Sequence, residues 1–320
     1  MDSVLPAPLT LRDELQALAD LATKYESASH AASTRRAYES DWRDFCEWCR
    51  AHGAGECPAA PETVALYLTG LSQSYKVSTL TRRLAAIAQV HRAAGQTSPT
   101  ESSLVRHLLR GIRRSLGTAP VTKRPVLIDD LKAMLKHLPT NLLGIRDRAI
   151  LLVGFAGAFR RSELVALNVD EVEENGEGLV VIIRRGKTDP EAEGRKLGIP
   201  RGREEGSCPV RALCSWLEQS GLGEGPLFRP MNRKGEVLEK RLSGEAVALI
   251  VKRYVKELGY DEDLFAGHSL RAGLATSAAI AGKSERAIMN QTGHRSVATV
   301  RRYIRDGNLF RENAASGLGL

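Results

Sequence analysis

Residues 117–125, Gly117-Thr118-Ala119-Pro120-Val121-Thr122-Lys123-Arg124-Pro125, separate two stretches of different hydrophobic periodicity. A glycine and two prolines so close together interrupt helix and ladder alike, so this segment reads as an extended linker. Its basic pair, Lys123 and Arg124, could lie along a phosphate backbone. The chain therefore has to be solved as two bodies, 1–116 and 126–320, joined by 117–125. A length of 320 residues fits two cores better than one.

The first body shows only the helical period. Helices are expected over 11–28 (Leu11, Leu15, Leu18 and Ala22 on one face) and over 35–52, capped by Thr34. A third opens at Pro61 and carries Val64, Leu66, Tyr67 and Leu71. A fourth starts at Ser78 or Thr79 and turns Leu80, Leu84, Ile87 and His91 inward, leaving Arg82 and Arg83 to point elsewhere. The fifth, 101–116, is expected to bury Leu104, Leu108 and Ile112 and to show Arg106, Arg110, Arg113 and Arg114. These pieces make a helical bundle with one basic side.

The second body is mixed. Helices are expected at 128–138, 145–158, from Arg160 to before Asn168, and near 209–219, 243–258, 268–281, 284–291 and 296–304. The β-branched run Leu179-Val180-Val181-Ile182-Ile183 reads as a strand. Gly186-Lys187-Thr188-Asp189-Pro190 turns it back into a partner at Arg195–Ile199. The fold class is thus mainly α with a small β-sheet, an N-terminal helical bundle followed by an α+β domain.

Charge placement says what such a molecule meets. Residues 1–75 carry six Lys/Arg against eleven Asp/Glu, whereas 76–124 carry ten Lys/Arg against Glu101 alone. A solvated face normally interleaves acids, so this stretch, with Arg82, Arg83, Arg106, Arg110, Arg113, Arg114, Lys123 and Arg124, reads as an electrostatic footprint for nucleic acid. No apolar run approaches the ~20 residues of a membrane helix. The start lacks the layout of a secretion signal, which makes a cytoplasmic protein the expectation. Five cysteines, an odd number, argue against a disulfide framework. Cys46, Cys49, His52 and Cys57 form a compact group of zinc-ligand types. Tyr38, Trp42, Phe45 and Cys49 recur at helical spacing, however, and the simpler reading places both thiols beside the buried stripe of a helix. No metal or cofactor is assigned.

Three distant segments carry groups suited to holding a phosphodiester while an oxygen attacks its phosphorus. Arg160 stands at a helix start, after an apolar run, and its flat set of donors suits two phosphate oxygens; pairing with Glu163 is the plain alternative. Lys187, at the tip of the hairpin, could hold a phosphate or give a proton to a departing oxygen, or be an ordinary turn lysine. His268 and Arg271 share a helix face. His294 follows Gly293, and Tyr303 stands nine residues further on, on one face with Thr299. A phenol with its ordinary pKa near 10 is a poor nucleophile, so cations and an acceptor would have to ease its deprotonation.

In combination these segments resemble the tyrosine recombinase, or phage integrase, family over nearly the whole chain. Ser33-Thr34-Arg35-Arg36-Ala37-Tyr38, with Trp42 and Phe45, is similar to the family's core-binding domain. Residues 126–320 are similar to its catalytic domain, with 305–320 as the C-terminal tail. The resemblance implies a clamp around DNA and a site-specific recombinase or integrase using a 3′-phosphotyrosyl intermediate without metal or ATP. It implies Tyr303 as nucleophile, Arg160, Arg271 and His294 around the phosphate, and Glu163 as support. Lys187 would be the general acid, and His268 would assist proton removal or steady the phosphate. Arg161, adjacent to Arg160, is the alternative register. The implied partner is double-stranded DNA with inverted-repeat sites, bound by a homodimer on each site and a homotetramer in the synapse. A telomere resolvase or a type IB topoisomerase-like enzyme would share this chemistry, and an idle DNA-binding accessory protein would share only the surface.

Overall fold

The computed structural model describes residues 15–16, 18–21, 25, 32–118, 122–184 and 194–308. It divides into two compact units, 1–121 and 122–320. Most of the helix expected at 11–28 lies outside the described residues, as do the hairpin tip and the tail beyond 308.

The first unit contains four described helices, α1 (Ala32–Ala51), α2 (Pro61–Ser72), α3 (Val77–Ala93) and α4 (Ser103–Leu116), with α1 packed on α3 and α2 on α4. Pro61 supplies the first turn of α2, where its missing N–H costs nothing. The Ser102 side chain caps α4 by accepting the Val105 amide at 3.2 Å. Phe45, Cys49, Val64, Tyr67, Leu68, Leu80, Ile87, Val105 and Ile112 form the core. His91 belongs to it too. Its Nε2 accepts the Ala59 N–H at 3.0 Å and its Nδ1 faces the Ile87 carbonyl at 2.8 Å, so the ring is a structural cross-link. Cys46 and Cys49 are both buried along α1, whereas Cys57 is exposed.

Three expectations are corrected here: Thr34 is not a cap, because α1 already begins at Ala32 and takes Thr34 into its first turn. Leu104 is 44% exposed, and Val105 takes the place in the core that Leu104 was expected to fill. Arg83 does not point outward: it is buried at 6% exposure. Its guanidinium donates to Asp44 and to the Tyr67 hydroxyl oxygen and lies 4.8 Å over the Tyr75 ring. Tyr67 in turn donates to Asp44 at 2.5 Å. Arg82 is held by Asp41 through two hydrogen bonds of 2.8 and 3.0 Å, and keeps 48% of its side chain exposed. Asp41 and Asp44 stand three residues apart on α1 and so share the face turned to α3. They neutralise two cations that the charge count had assigned to a basic surface.

The second unit holds α5 (Ile128–Lys136), α6 (Leu142–Ala156), α7 (Arg161–Ala166), a three-stranded antiparallel sheet, and then α8 (Pro209–Ser220), α9 (Gly244–Glu257), α10 (Ser269–Ile280), α11 (Glu285–Thr292) and α12 (Val297–Asn308). The strands are β1 (Val172–Glu174), β2 (Gly178–Ile183) and β3 (Arg195–Pro200), in the order β1-β2-β3. Val181 faces Leu197 and Ile183 faces Arg195 across β2 and β3. This register sends Leu197 and Ile199 into the core and Lys196 and Gly198 outward. β1 was not anticipated, because three residues with two glutamates carry no strand pattern.

α6 is buried almost all round and packs against α8 and α10. It starts at Leu142, earlier than expected, because the Asn141 side chain accepts the Gly144 amide at 3.2 Å. Gly273 lets α10 press against the chain that follows the linker: a Cβ there would stand 1.7 Å from the Val126 carbonyl oxygen. Val126 N–H closes the contact on Ser269 O at 3.0 Å. Among the described residues no helix is long and apolar enough to cross a membrane.

Candidate active site

The site is built around a turn in an unusual conformation. Gly157 ends α6, and Ala158 follows with φ +48°, a left-handed value that costs a non-glycine residue of order 1–3 kcal/mol. The turn is locked from within, because a Cβ on Gly157 would meet the Phe159 ring at 2.0 Å. It aims the Ala158 carbonyl at Arg271, whose Nη1 donates to it at 2.7 Å. Two residues later comes Arg160, the N-cap of α7. Glu163, in the first turn of α7, accepts the Arg160 backbone N–H at 3.0 Å with Oε2 and its Nη1 at 2.5 Å with Oε1. The pairing of Arg160 with Glu163 is therefore real, and it orients the arginine rather than removing it from the cluster.

Arg271, on α10, is fully buried. Its Nε and Nη2 have no hydrogen-bond partner among the described residues. A buried cation with unsatisfied donors is costly, and burial, followed by the nearby Arg160 charge, pushes its pKa down to about 10. It keeps its proton at neutral pH and presents two unused donors. His268 stands at the N-cap position of the same helix, makes no capping side-chain bond and is exposed. Desolvation, then the charges of Arg271, Arg160 and Arg161, lower its pKa and favour the neutral ring.

His294 reaches the cluster through a second special turn. Gly293 ends α11 in the left-handed region, φ +63°, and hands the chain to His294. Thr292 donates its hydroxyl proton to Ile288 O at 2.7 Å, so its oxygen accepts from His294 Nδ1 at 2.7 Å. That bond fixes the Nδ1–H tautomer and leaves Nε2 for a partner in the site. Burial, then the Arg271 and Arg160 cations, lower the His294 pKa to about 3. Tyr303 on α12 lies beside this ring, 5.9 Å between centroids, and within electrostatic reach of Arg271. The rest of Tyr303 packs on Ala275, Ala279, Ile288 and Val300, which anchors the phenol to α10 and α11.

Arg160, Glu163, His268, Arg271, His294 and Tyr303 thus come from four elements into one cluster. Arg161 stays exposed beside it, its stem against Gly267, and lines an open cleft of about 1000 Å³ with Arg160, His268 and Arg241. Lys187 lies outside the described residues. Arg195 was not singled out from the sequence, yet its charge acts on both Arg271 and His294. It looks like any strand-opening arginine, and only the Ile183–Arg195 register places it here. What the cluster can do chemically follows from its balance. Three arginines and two histidines gather around one carboxylate, with unused arginine nitrogens and a phenol in the same cluster. This arrangement suits an anion with several oxygens.

The basic residues proposed from sequence are placed as follows. Arg106, Arg110, Arg113 and Arg114 are all exposed on α4. Lys123 and Arg124 are exposed but tied down within the second unit. Lys123 donates to Asp263 O, and Arg124 lies 4.4 Å over the Tyr260 ring.

Comparison with known proteins agrees with this architecture. The phage integrase family matches residues 126–308, and the N-terminal SAM-like domain of phage integrases matches 25–97. An integrase/recombinase, the XerD homolog of Selenomonas ruminantium, is 41% identical over 290 residues, covering 89% of this chain and 85% of the relative. The recombinase Cre of Escherichia phage P1 is 26% identical over 294 residues, covering 85% and 83%. The crystal structure of the XerH site-specific recombinase bound to a palindromic difH substrate, a post-cleavage complex, shares the fold with a TM-score of 0.59 at 19% identity, over 80% of this chain and 72% of that one. The chain belongs to the phage integrase family and is a site-specific recombinase of the tyrosine type.

Proposed function

We propose that the chain cuts and rejoins DNA strands at the site just described, with Tyr303 as nucleophile. The observation that carries this reading is Arg271: a fully buried cation with two unused nitrogens, beside Arg160, His294 and a phenol. Tyr303 attacks the scissile phosphate, forms a 3′-phosphotyrosyl bond and releases the 5′-oxygen of the next nucleotide. Attack by that oxygen, or by its counterpart on another duplex, reverses the step and frees the tyrosine. The phosphate ester is conserved throughout, so no nucleotide triphosphate is consumed.

Arg160 and Arg271 meet the charge on the non-bridging oxygens, His294 joins them as a donor once the bound phosphate draws a proton onto its Nε2, and Glu163 holds Arg160 in place. Such fixed donors need no rearrangement as charge develops, and losing one costs about 100–1000-fold in rate. His268, kept neutral by its surroundings, is the acceptor for the Tyr303 proton. Lys187 supplies the proton to the leaving oxygen; its support is its place in the family motif. Arg106, Arg110, Arg113 and Arg114 hold the duplex backbone from the first unit. The substrate is a duplex with inverted repeats, taken by two protomers per site and four in the synapse.

The experiment is adduct trapping. The wild-type chain, denatured during reaction with a duplex selected from a random-sequence pool, carries covalently bound DNA. Tyr303→Phe binds the same duplex and carries none. An adduct that persists in that variant removes Tyr303 from the role.

A further inference from the structure

We infer that Arg195 is a positioning residue for His294, an inference that rests on the recombinase reading. Arg195 opens β3, and its Nη1 donates to the carbonyls of Asn290 and Gln291, each at 3.3 Å. These belong to the last turn of α11, where carbonyls lack helical partners and the helix dipole favours a cation. The contact continues onto the next turn of chain. A Cβ on Gly293 would stand 2.8 Å from the Arg195 guanidinium, so the left-handed residue that delivers His294 is moulded directly on it. Gln291 supports the same junction, its Nε2 donating to Ala156 O at 2.7 Å and to Gly198 O at 3.2 Å.

On its other side Arg195 reaches the opposite half of the cluster. Its Nη2 lies 3.9 Å from Glu163 Oε2, the oxygen that accepts the Arg160 backbone N–H. That nitrogen is buried and has no hydrogen-bond partner among the described residues. Arg195 is thus one planar group in contact with the acid that fixes Arg160 and with the turn that fixes His294. A lysine could supply the charge but not both contacts at once, because one ammonium cannot span two carbonyls and a carboxylate with a fixed planar geometry.

The test measures the rate of covalent adduct formation by the full chain on the selected duplex, for Arg195→Ala, Arg195→Lys, His294→Ala and the double variant Arg195→Ala/His294→Ala. Arg195→Ala is expected to slow adduct formation about 100-fold, the order of effect expected when a reacting group is misplaced by about 1 Å, while duplex affinity stays near wild type. Arg195→Lys, which keeps charge and bulk and so guards against simple misfolding, is expected to recover less than about a tenth of the rate. If Arg195 acts through His294, the double variant is no slower than the worse single variant, within about twofold. Multiplying losses, or full recovery with lysine, overturn the inference. A wild-type chain that forms no adduct overturns the recombinase reading itself. A wild-type adduct with an equally fast Arg195→Ala overturns only the role of Arg195.

Discussion

The Arg271 guanidinium spends one hydrogen bond on the Ala158 carbonyl, 2.7 Å away, and leaves two nitrogens without a partner among the described residues although the residue is fully buried. Its single acceptor comes from a residue itself held at φ +48°. The protein thus sustains an unfavourable backbone and a buried cation with two unsatisfied nitrogens at the same point, a combination that stability alone does not explain.

Replacing Arg271 with methionine should therefore separate function from stability. Adduct formation should fall by about 100–1000-fold or more, since a principal donor to the phosphate is gone. Thermal unfolding of the DNA-free variant should occur at the same or a higher temperature than wild type, because a buried cation has been exchanged for a side chain of similar length. A strongly lowered melting temperature would contradict the argument from unsatisfied nitrogens.

Glu163→Ala should do the opposite. Glu163 is buried, and it is the carboxylate that accepts both the backbone N–H and the side chain of Arg160, with Arg195 nearby. Its removal leaves like charges facing one another and a capping amide unpaired. Urea unfolding should show a loss of about 3–5 kcal/mol, the range for breaking a buried pair.

The histidines set a pH dependence with a definite sign. His294 has its pKa lowered to about 3 and His268 is also lowered, against an ordinary value of 6.5. The unfolded chain binds protons on both rings before the folded chain does. Their stabilising contribution is present above pH 6.5 and is lost as pH falls toward about 3. His294→Asn should flatten the decline in melting temperature between those limits relative to wild type. Parallel curves would show that His294 is not the titrating group.

On the first unit, Arg106→Ala, Arg110→Ala or Arg114→Ala should each weaken duplex binding uniformly across sequences. Each should also reduce the steepness of the log-affinity against log-salt line by about one. Unchanged slopes would move the DNA contact away from the exposed side of α4. Arg83→Ala should behave differently, because that side chain is interior: stability should fall while the salt slope holds.

Much of the architecture was readable because local signals carried it. Pro61 marks a helix start, and the β-branched run of β2 marks a strand. Glu163, His268 and Arg271 could be singled out because each sits at a fixed offset in one of two short motifs. What was missed depends on partners far away in sequence. Arg83 looked like part of a basic run because its acid, Asp44, is 39 residues upstream on another helix. Val105 rather than Leu104 turned inward because the α4 register is decided by packing on α2. Arg195 carried no motif, and its meaning comes from strand register and from a helix end 95 residues later. Pairing of that kind leaves no periodic trace.

The left-handed glycine after α11 also limits how this site can vary. A side chain at residue 293 is disfavoured for two independent reasons, backbone conformation and the arginine pressed against it. Drift at the junction is therefore eased by paired exchanges, in which a smaller residue at 195 makes room for a residue such as asparagine that accepts the left-handed backbone at 293. Descendants of this chain that alter the histidine turn should carry the scar of that exchange at the first position of β3.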